Sequence, residues 1–106
     1  MEVGRKLIEY EVLFAPEARD DLLGLYDWIA DAASPDTALS YIERLEAHCL
    51  SLKYLAERGH RRDDIRPGLR IFGFERRVTI AFMVEDRRAT ILRVFYGGRN
   101  WEEIMS

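Results

Sequence analysis

From Leu7 to Phe14, Ile8, Tyr10, Val12 and Phe14 alternate with Leu7, Glu9, Glu11 and Leu13. This period of two predicts a first strand with one buried face. Pro16 follows at a position suited to the first turn of a helix, where its missing N–H has no intrahelical partner. Ala18, Leu22, Leu25, Tyr26 and Ile29 then recur at spacings of three and four, with Arg19, Asp20, Asp21 and Asp27 on the other side, so a first helix is expected to run to about Asp31. Trp28 sits at the margin of the apolar stripe. Ser34-Pro35 is a stronger start signal, a capping hydroxyl followed by a proline. Ala38, Ile42, Leu45, Cys49, Leu52 and then Leu55 or Ala56 mark one face of a second helix. Its expected end lies near Gly59, a residue suited to a left-handed cap, giving a length of roughly 36 Å at 1.5 Å per residue. The link from Ala32 to Ser34 is short enough to force the two helices into an antiparallel hairpin.

Beyond the arginine-rich connection from His60 to Gly68 the period returns to two. Leu69–Phe74, Arg77–Val84 and Ala89–Tyr96 are predicted strands, with Glu85-Asp86-Arg87-Arg88 as a polar hairpin turn. Short links make these consecutive strands antiparallel. The order strand, helix, helix, strand, strand, strand predicts an α+β fold, a mostly antiparallel sheet packed against a helical hairpin. One domain of 106 residues is expected, with Tyr10, Trp28, Phe82 and Phe95 in its core.

Composition narrows the class. With 48% hydrophobic and 33% charged residues the chain can bury a core, and no apolar run approaches the length of about 18 residues that suggests a membrane span. The N-terminal residues lack the pattern of a signal peptide, so a cytoplasmic location is expected. A single cysteine, Cys49, permits no internal disulfide and no zinc-ligand spacing is present, so neither metal nor cofactor is expected. The net charge of −3 conceals an asymmetry: residues 1–57 carry −7 and residues 58–106 carry +4. An acidic total disfavours coating nucleic acid through bulk charge, but a basic face in the C-terminal half remains available.

Of the two histidines, His48 lies beside the apolar stripe of the second helix and reads as structural, and His60 reads as a cation at a helix end. Asp20-Asp21 and Asp63-Asp64 read as solvated charge. The chain has no nucleophile elbow, phosphate loop or dinucleotide fingerprint. The arginines are more informative. Arg70 opens a strand, Arg76 and Arg77 flank the next, Arg93 stands between Leu92 and Val94, and Arg99 follows Gly97-Gly98. They can converge on one exposed sheet surface, or form only the polar face of an antiparallel sheet. A buried Arg93 would need a carboxylate partner or a ligand anion.

These residues carry a resemblance. The alternating first strand, Phe14-Ala15-Pro16-Glu17-Ala18, Tyr26-Asp27-Trp28-Ile29-Ala30, Ser34-Pro35, Arg66-Pro67-Gly68-Leu69-Arg70, and Ile91-Leu92-Arg93-Val94-Phe95-Tyr96-Gly97-Gly98-Arg99-Asn100 together resemble the ParE branch of the RelE/ParE toxin superfamily, over residues 7 to about 104. The resemblance implies a RelE/ParE-like fold and the toxin of a type II toxin–antitoxin pair, acting in growth arrest and plasmid stabilisation. It also implies a hetero-oligomer with a cognate ParD-like antitoxin, whose N-terminal part binds DNA and whose C-terminal segment wraps the toxin. The toxin itself would neither bind DNA sequence-specifically nor associate with a membrane. Residues 1–6 and 101–106 are expected to be less ordered without that partner.

ParE members act on DNA gyrase, whereas RelE members cut messenger RNA on the ribosome. RNA cleavage needs a base, an acid and cations around the phosphorane. The last residues, 100–106, supply neither the tyrosine nor the histidine common in RelE-type enzymes, and Tyr96 is the nearest substitute. Where many ParE relatives end the last strand with His-Gly-Ala-Arg-Asp or His-Gly-Arg-Arg-Asp, this chain reads Tyr96-Gly97-Gly98-Arg99-Asn100. The expectation is therefore a gyrase-inhibiting protein toxin without catalytic chemistry, whose target surface includes Arg70, Arg93, Arg99 and Trp101. A ribosome-dependent endoribonuclease using Arg70, Arg93, Tyr96 and Arg99 is the alternative.

Overall fold

The computed structural model describes residues 9–98 and 100–106. Leu7, Ile8, Arg99 and the expected disorder of residues 1–6 lie outside the described residues. The elements in chain order are β1 (Glu11–Phe14), α1 (Pro16–Ala32), α2 (Pro35–Leu50), β2 (His60–Arg61), β3 (Leu69–Phe74), β4 (Val78–Glu85), β5 (Arg88–Tyr96) and α3 (Trp101–Met105), with a 3-10 turn at Ser51–Lys53. The expected α+β architecture is present: a five-stranded sheet in the order β1-β5-β4-β3-β2, faced by the α1–α2 hairpin. β1 pairs parallel to β5 and the other pairs are antiparallel.

The helices start where their sequence signals stand. Pro16 opens α1 with Glu17 in the first turn, favourable to the helix dipole. Ser34 caps α2, its hydroxyl accepting from the Thr37 N–H at 3.1 Å. Ala18, Leu22 and Leu25 of α1 and Ala38, Leu45 and Cys49 of α2 are buried. With Phe72, Phe74, Ile80, Phe82, Ile91 and Val94 from the sheet, most of them form the main core, against which Tyr10, Val12 and Phe14 pack.

Several expectations need correction. The second helix does not run to Gly59. It covers 16 residues, about 24 Å, and tightens into the 3-10 turn. There the Ser51 hydroxyl donates back to the His48 carbonyl, and the Lys53 carbonyl accepts from the Tyr10 N–H at 2.8 Å, so the turn meets the chain entering β1. Leu52 and Ala56 are still buried, reached through the turn rather than along a helix. Gly59 is left-handed, with φ +81, but closes no helix; glycine is also required there because the Ile71 carbonyl occupies the place of a side chain. His60 therefore caps no helix and belongs to β2, an edge strand paired with β3. Trp28 is not core; it is 54% exposed.

The sheet's other face is covered too. Leu69, Ala81, Phe95 and Met105 form a second buried cluster, with Ile65, Ile71, Leu92 and Trp101 packed on it. Trp101–Met105 form α3 on this face, with Met105 buried in the cluster. Arg62 ties α3 down: its guanidinium donates to Asp64 at 2.8 Å and Glu102 at 2.9 Å and lies 5.3 Å from the centre of the Trp101 ring. The Asp63–Asp64 pair is thus engaged as well as exposed, since Asp63 accepts from Arg61 and from the Gly68 N–H. Hydrogen bonds from these arginines hold both carboxyls below the usual carboxylate range.

Candidate functional site

The arginines singled out in the sequence do not share one surface. Arg70 follows the alternation of Phe72 and Phe74 and so lies on the hairpin side of β3, where its guanidinium reaches the Arg58 carbonyl at 3.4 Å. Arg93 is on β5 at the bulge opposite Ala81 and Phe82, its guanidinium over the Phe95 ring of the second cluster. It is anchored to Asp21 of α1 by two parallel hydrogen bonds of 2.8 and 3.0 Å. Asp21 Oδ2 also accepts from the Val94 N–H at 2.8 Å. β1 ends at Phe14 opposite Ile91, so Asp21 satisfies the strand edge that β1 leaves open. Asp21, expected as solvated charge, has a side chain only 9% exposed, and it is the carboxylate partner that a buried Arg93 required. Hydrogen bonding to Asp21 raises the Arg93 pKa further, so Arg93 joins α1 to β5 as a fixed cation.

A different set of residues meets at the other end of α1. The turn Glu75-Arg76-Arg77 between β3 and β4 lies beside the end of β5, because Val78 pairs with Tyr96. Glu75 and Arg76 hold left-handed backbones, φ +49 and +63, as tight hairpin geometry requires, and Gly97 and Gly98 are left-handed at +71 and +72. Arg44 of α2 clamps the turn with bonds of 3.2 and 3.3 Å to the Glu75 carboxylate. Trp28 closes the hairpin side, its ring 5.9 Å from that of Tyr96. The Tyr96 hydroxyl points at α1: it stands 3.6 Å from the position a β-carbon on Gly24 would take.

Beside an open cleft of about 680 Å³ between Trp28 and the Glu75-Arg76-Arg77 turn, two smaller recesses share this corner. One is apolar, about 170 Å³, lined by Leu25, Trp28, Ile29, Tyr41, Val78 and Tyr96 with Arg77 at its rim. The other is polar, about 230 Å³, and includes Arg76, Arg77, Thr79, Phe95, Gly98 and Trp101. Among the described residues neither Arg76 nor Arg77 makes an ion pair. Burial raises the Tyr41 phenol pKa, Glu75 adds to this, and Arg44 and Arg77 oppose it.

Of the residues expected at a site, Tyr96 and Trp101 reach this corner, whereas Arg70 and Arg93 stand elsewhere and Arg99 lies outside the described residues. Trp28 and the Arg76–Arg77 pair were not in the expected set. Their signal was present as an indole at the edge of a helical stripe and two arginines in a hairpin turn. His48 is structural: it stacks on Phe72, and since a carbonyl only accepts, its Nε2 donates to Gly73 O at 3.1 Å. Among the described residues no group of three His, Cys, Asp or Glu side chains could hold a metal.

Residues 12–101 match the family described as the ParE toxin of the type II toxin–antitoxin system, parDE. No curated protein matches the sequence significantly. Among solved structures, a chain of the chromosomal ParDE toxin–antitoxin system from P. aeruginosa is 25% identical with a TM-score of 0.74, over 83% of this chain and 96% of that one. A chain of the toxin–antitoxin complex RelBE2 from Mycobacterium tuberculosis shares the fold, at 20% identity and a TM-score of 0.57, over 89% of this chain and 98% of that one. With nearly the whole domain matched, the chain belongs to the ParE toxin family of type II toxin–antitoxin systems.

Proposed function

We propose that this toxin acts in the cytoplasm by binding a protein target, DNA gyrase, and that a cognate ParD-like antitoxin neutralises it in a hetero-oligomer. The target is the one implied by the ParE resemblance, and antitoxin pairing is supported by the similar structures, which are toxin–antitoxin systems. The observation that carries a protein-binding mode is the apolar recess between Trp28 and Tyr96, an exposed grip rimmed by Arg77. No helix among the described residues is long and apolar enough to cross a membrane.

The ribonuclease reading has its own support in the polar recess, where Arg76, Arg77 and Thr79 adjoin Tyr96. Against it, the Tyr96 hydroxyl stands beside α1, close to Gly24, while Arg93 is bound to Asp21 and Arg70 to the Arg58 carbonyl, away from the residues that would have to act with it. Pulse-labelling of DNA and protein synthesis in the minutes after induction without antitoxin separates the two. DNA synthesis stopping first, with inhibition of supercoiling by purified gyrase, supports the gyrase reading. Protein synthesis stopping first, with transcripts cleaved on ribosomes, replaces it with the ribonuclease.

A further inference from the structure

The apolar recess is about the size of an engineered 150 Å³ cavity that takes up benzene, so it holds one bulky apolar side chain. Part of its wall is core. Leu25 and Val78 belong to the core, and Tyr41 packs edge-on against Phe74 with ring centres 5.4 Å apart. Trp28 stands over the mouth, 54% exposed without contributing to the core. The charges around it are arranged unevenly. Arg44 and Glu75 neutralise each other, leaving Arg76 and Arg77 as exposed cations across the cleft from Trp28, while α1 carries exposed Asp27 and Asp31 one and three positions from Trp28.

That asymmetry selects a ligand. A nucleic-acid strand brings a phosphate at every step and would run its charge along the acidic helix. A protein segment can confine its carboxylates to the arginine side. We infer that this corner docks an acidic segment of a partner protein, which seats one bulky apolar side chain between Trp28 and Tyr96 and sets neighbouring carboxylates on Arg76 and Arg77. The inference rests on the reading of the chain as a toxin that works by binding protein.

Fluorescence anisotropy on the purified full chain tests it with three labelled probes: a short acidic peptide with a single central phenylalanine, the same peptide with glycine there, and an oligothymidylate of equal charge. The phenylalanine peptide is expected to bind at least about tenfold more tightly than the glycine peptide, a difference of about 1.4 kcal/mol. Trp28→Ala should erase that difference. Arg77→Glu should weaken both peptides by about tenfold or more, and Arg88→Glu, at the opposite end of β5, should change neither. Circular dichroism of each variant keeps loss of binding distinct from loss of fold. Equal affinity for the two peptides, or unchanged binding by Arg77→Glu, overturns the docking. So does tighter, Trp28-dependent binding of the oligothymidylate. The probes contain no gyrase, so a failed supercoiling assay would remove the gyrase reading and leave the docking standing, and failed peptide binding would do the reverse.

Discussion

Cys49 points from α2 into the main core, and burial pushes its thiol pKa up to about 12. An unfolded chain releases that proton near the ordinary thiol value of about 8.5, so above that pH the native state holds more protons than the unfolded one. Stability from this group is therefore complete below about pH 8.5 and is lost as pH rises. Between pH 8 and pH 10 the wild-type chain should lose on the order of 1 kcal/mol more than Cys49→Ala in urea unfolding, and a parallel fall in both would contradict this. Glycine positions show the same dependence on surroundings. A β-carbon at Gly59 would stand 2.2 Å from the Ile71 carbonyl oxygen, whereas at Gly97 nothing lies within 4 Å, and both are left-handed. Gly97→Ala should cost only backbone strain, about 1–2 kcal/mol, while Gly59→Ala must also displace β3 and should cost about 3 kcal/mol or more by thermal unfolding.

At the scale of elements, α1 is fastened to the sheet by one polar contact as well as by its apolar stripe. Asp21→Ala removes both acceptors from Arg93 and leaves the Val94 N–H without its partner, next to a guanidinium whose side chain is 24% exposed. A loss of about 2–4 kcal/mol in urea unfolding is expected, and a loss below about 1 kcal/mol would mean that water replaces the carboxylate. This contact was half legible in the sequence. Arg93 among apolar neighbours demanded a counterion, but Asp21 belongs by periodicity to the polar side of α1, and only packing of α1 across the end of β1 turns it inward. The elements divide in the same way. The strands β3 to β5 match their alternation to within a residue, and both helix starts lie at Pro16 and Ser34-Pro35, because those signals are local. β2, α3 and the end of α2 were not legible. β2 is two residues long, α3 depends on Arg62 and the second apolar cluster, and α2 stops where Ser51 bonds backwards and Lys53 meets Tyr10.

Across the whole molecule, the acidic N-terminal half and the basic C-terminal half of the sequence meet where Trp28 of α1 adjoins the β3–β4 turn. By sequence Trp28, at the margin of a helical stripe, reads as core, and the arginines of alternating strands read as one converging surface or as the polar face of a sheet. The fold instead sends Arg70 to one face and Arg93 to Asp21, and brings together an indole, a tyrosine ring and two arginines from α1, β5 and a turn. That corner contributes little to stability: Trp28 is half exposed, and Arg76 and Arg77 make no ion pair among the described residues. Residues kept there for function should therefore be replaceable without unfolding the chain. The double variant Arg76→Glu/Arg77→Glu should keep a melting temperature within about 4–8 °C of wild type, the shift worth about 1 kcal/mol in a domain of this size. It should nevertheless fail to arrest growth when induced without antitoxin. Arrest at the wild-type rate by this folded double variant would place the target surface elsewhere, whereas arrest abolished equally by Arg88→Glu would mean that total positive charge and not this corner is being read.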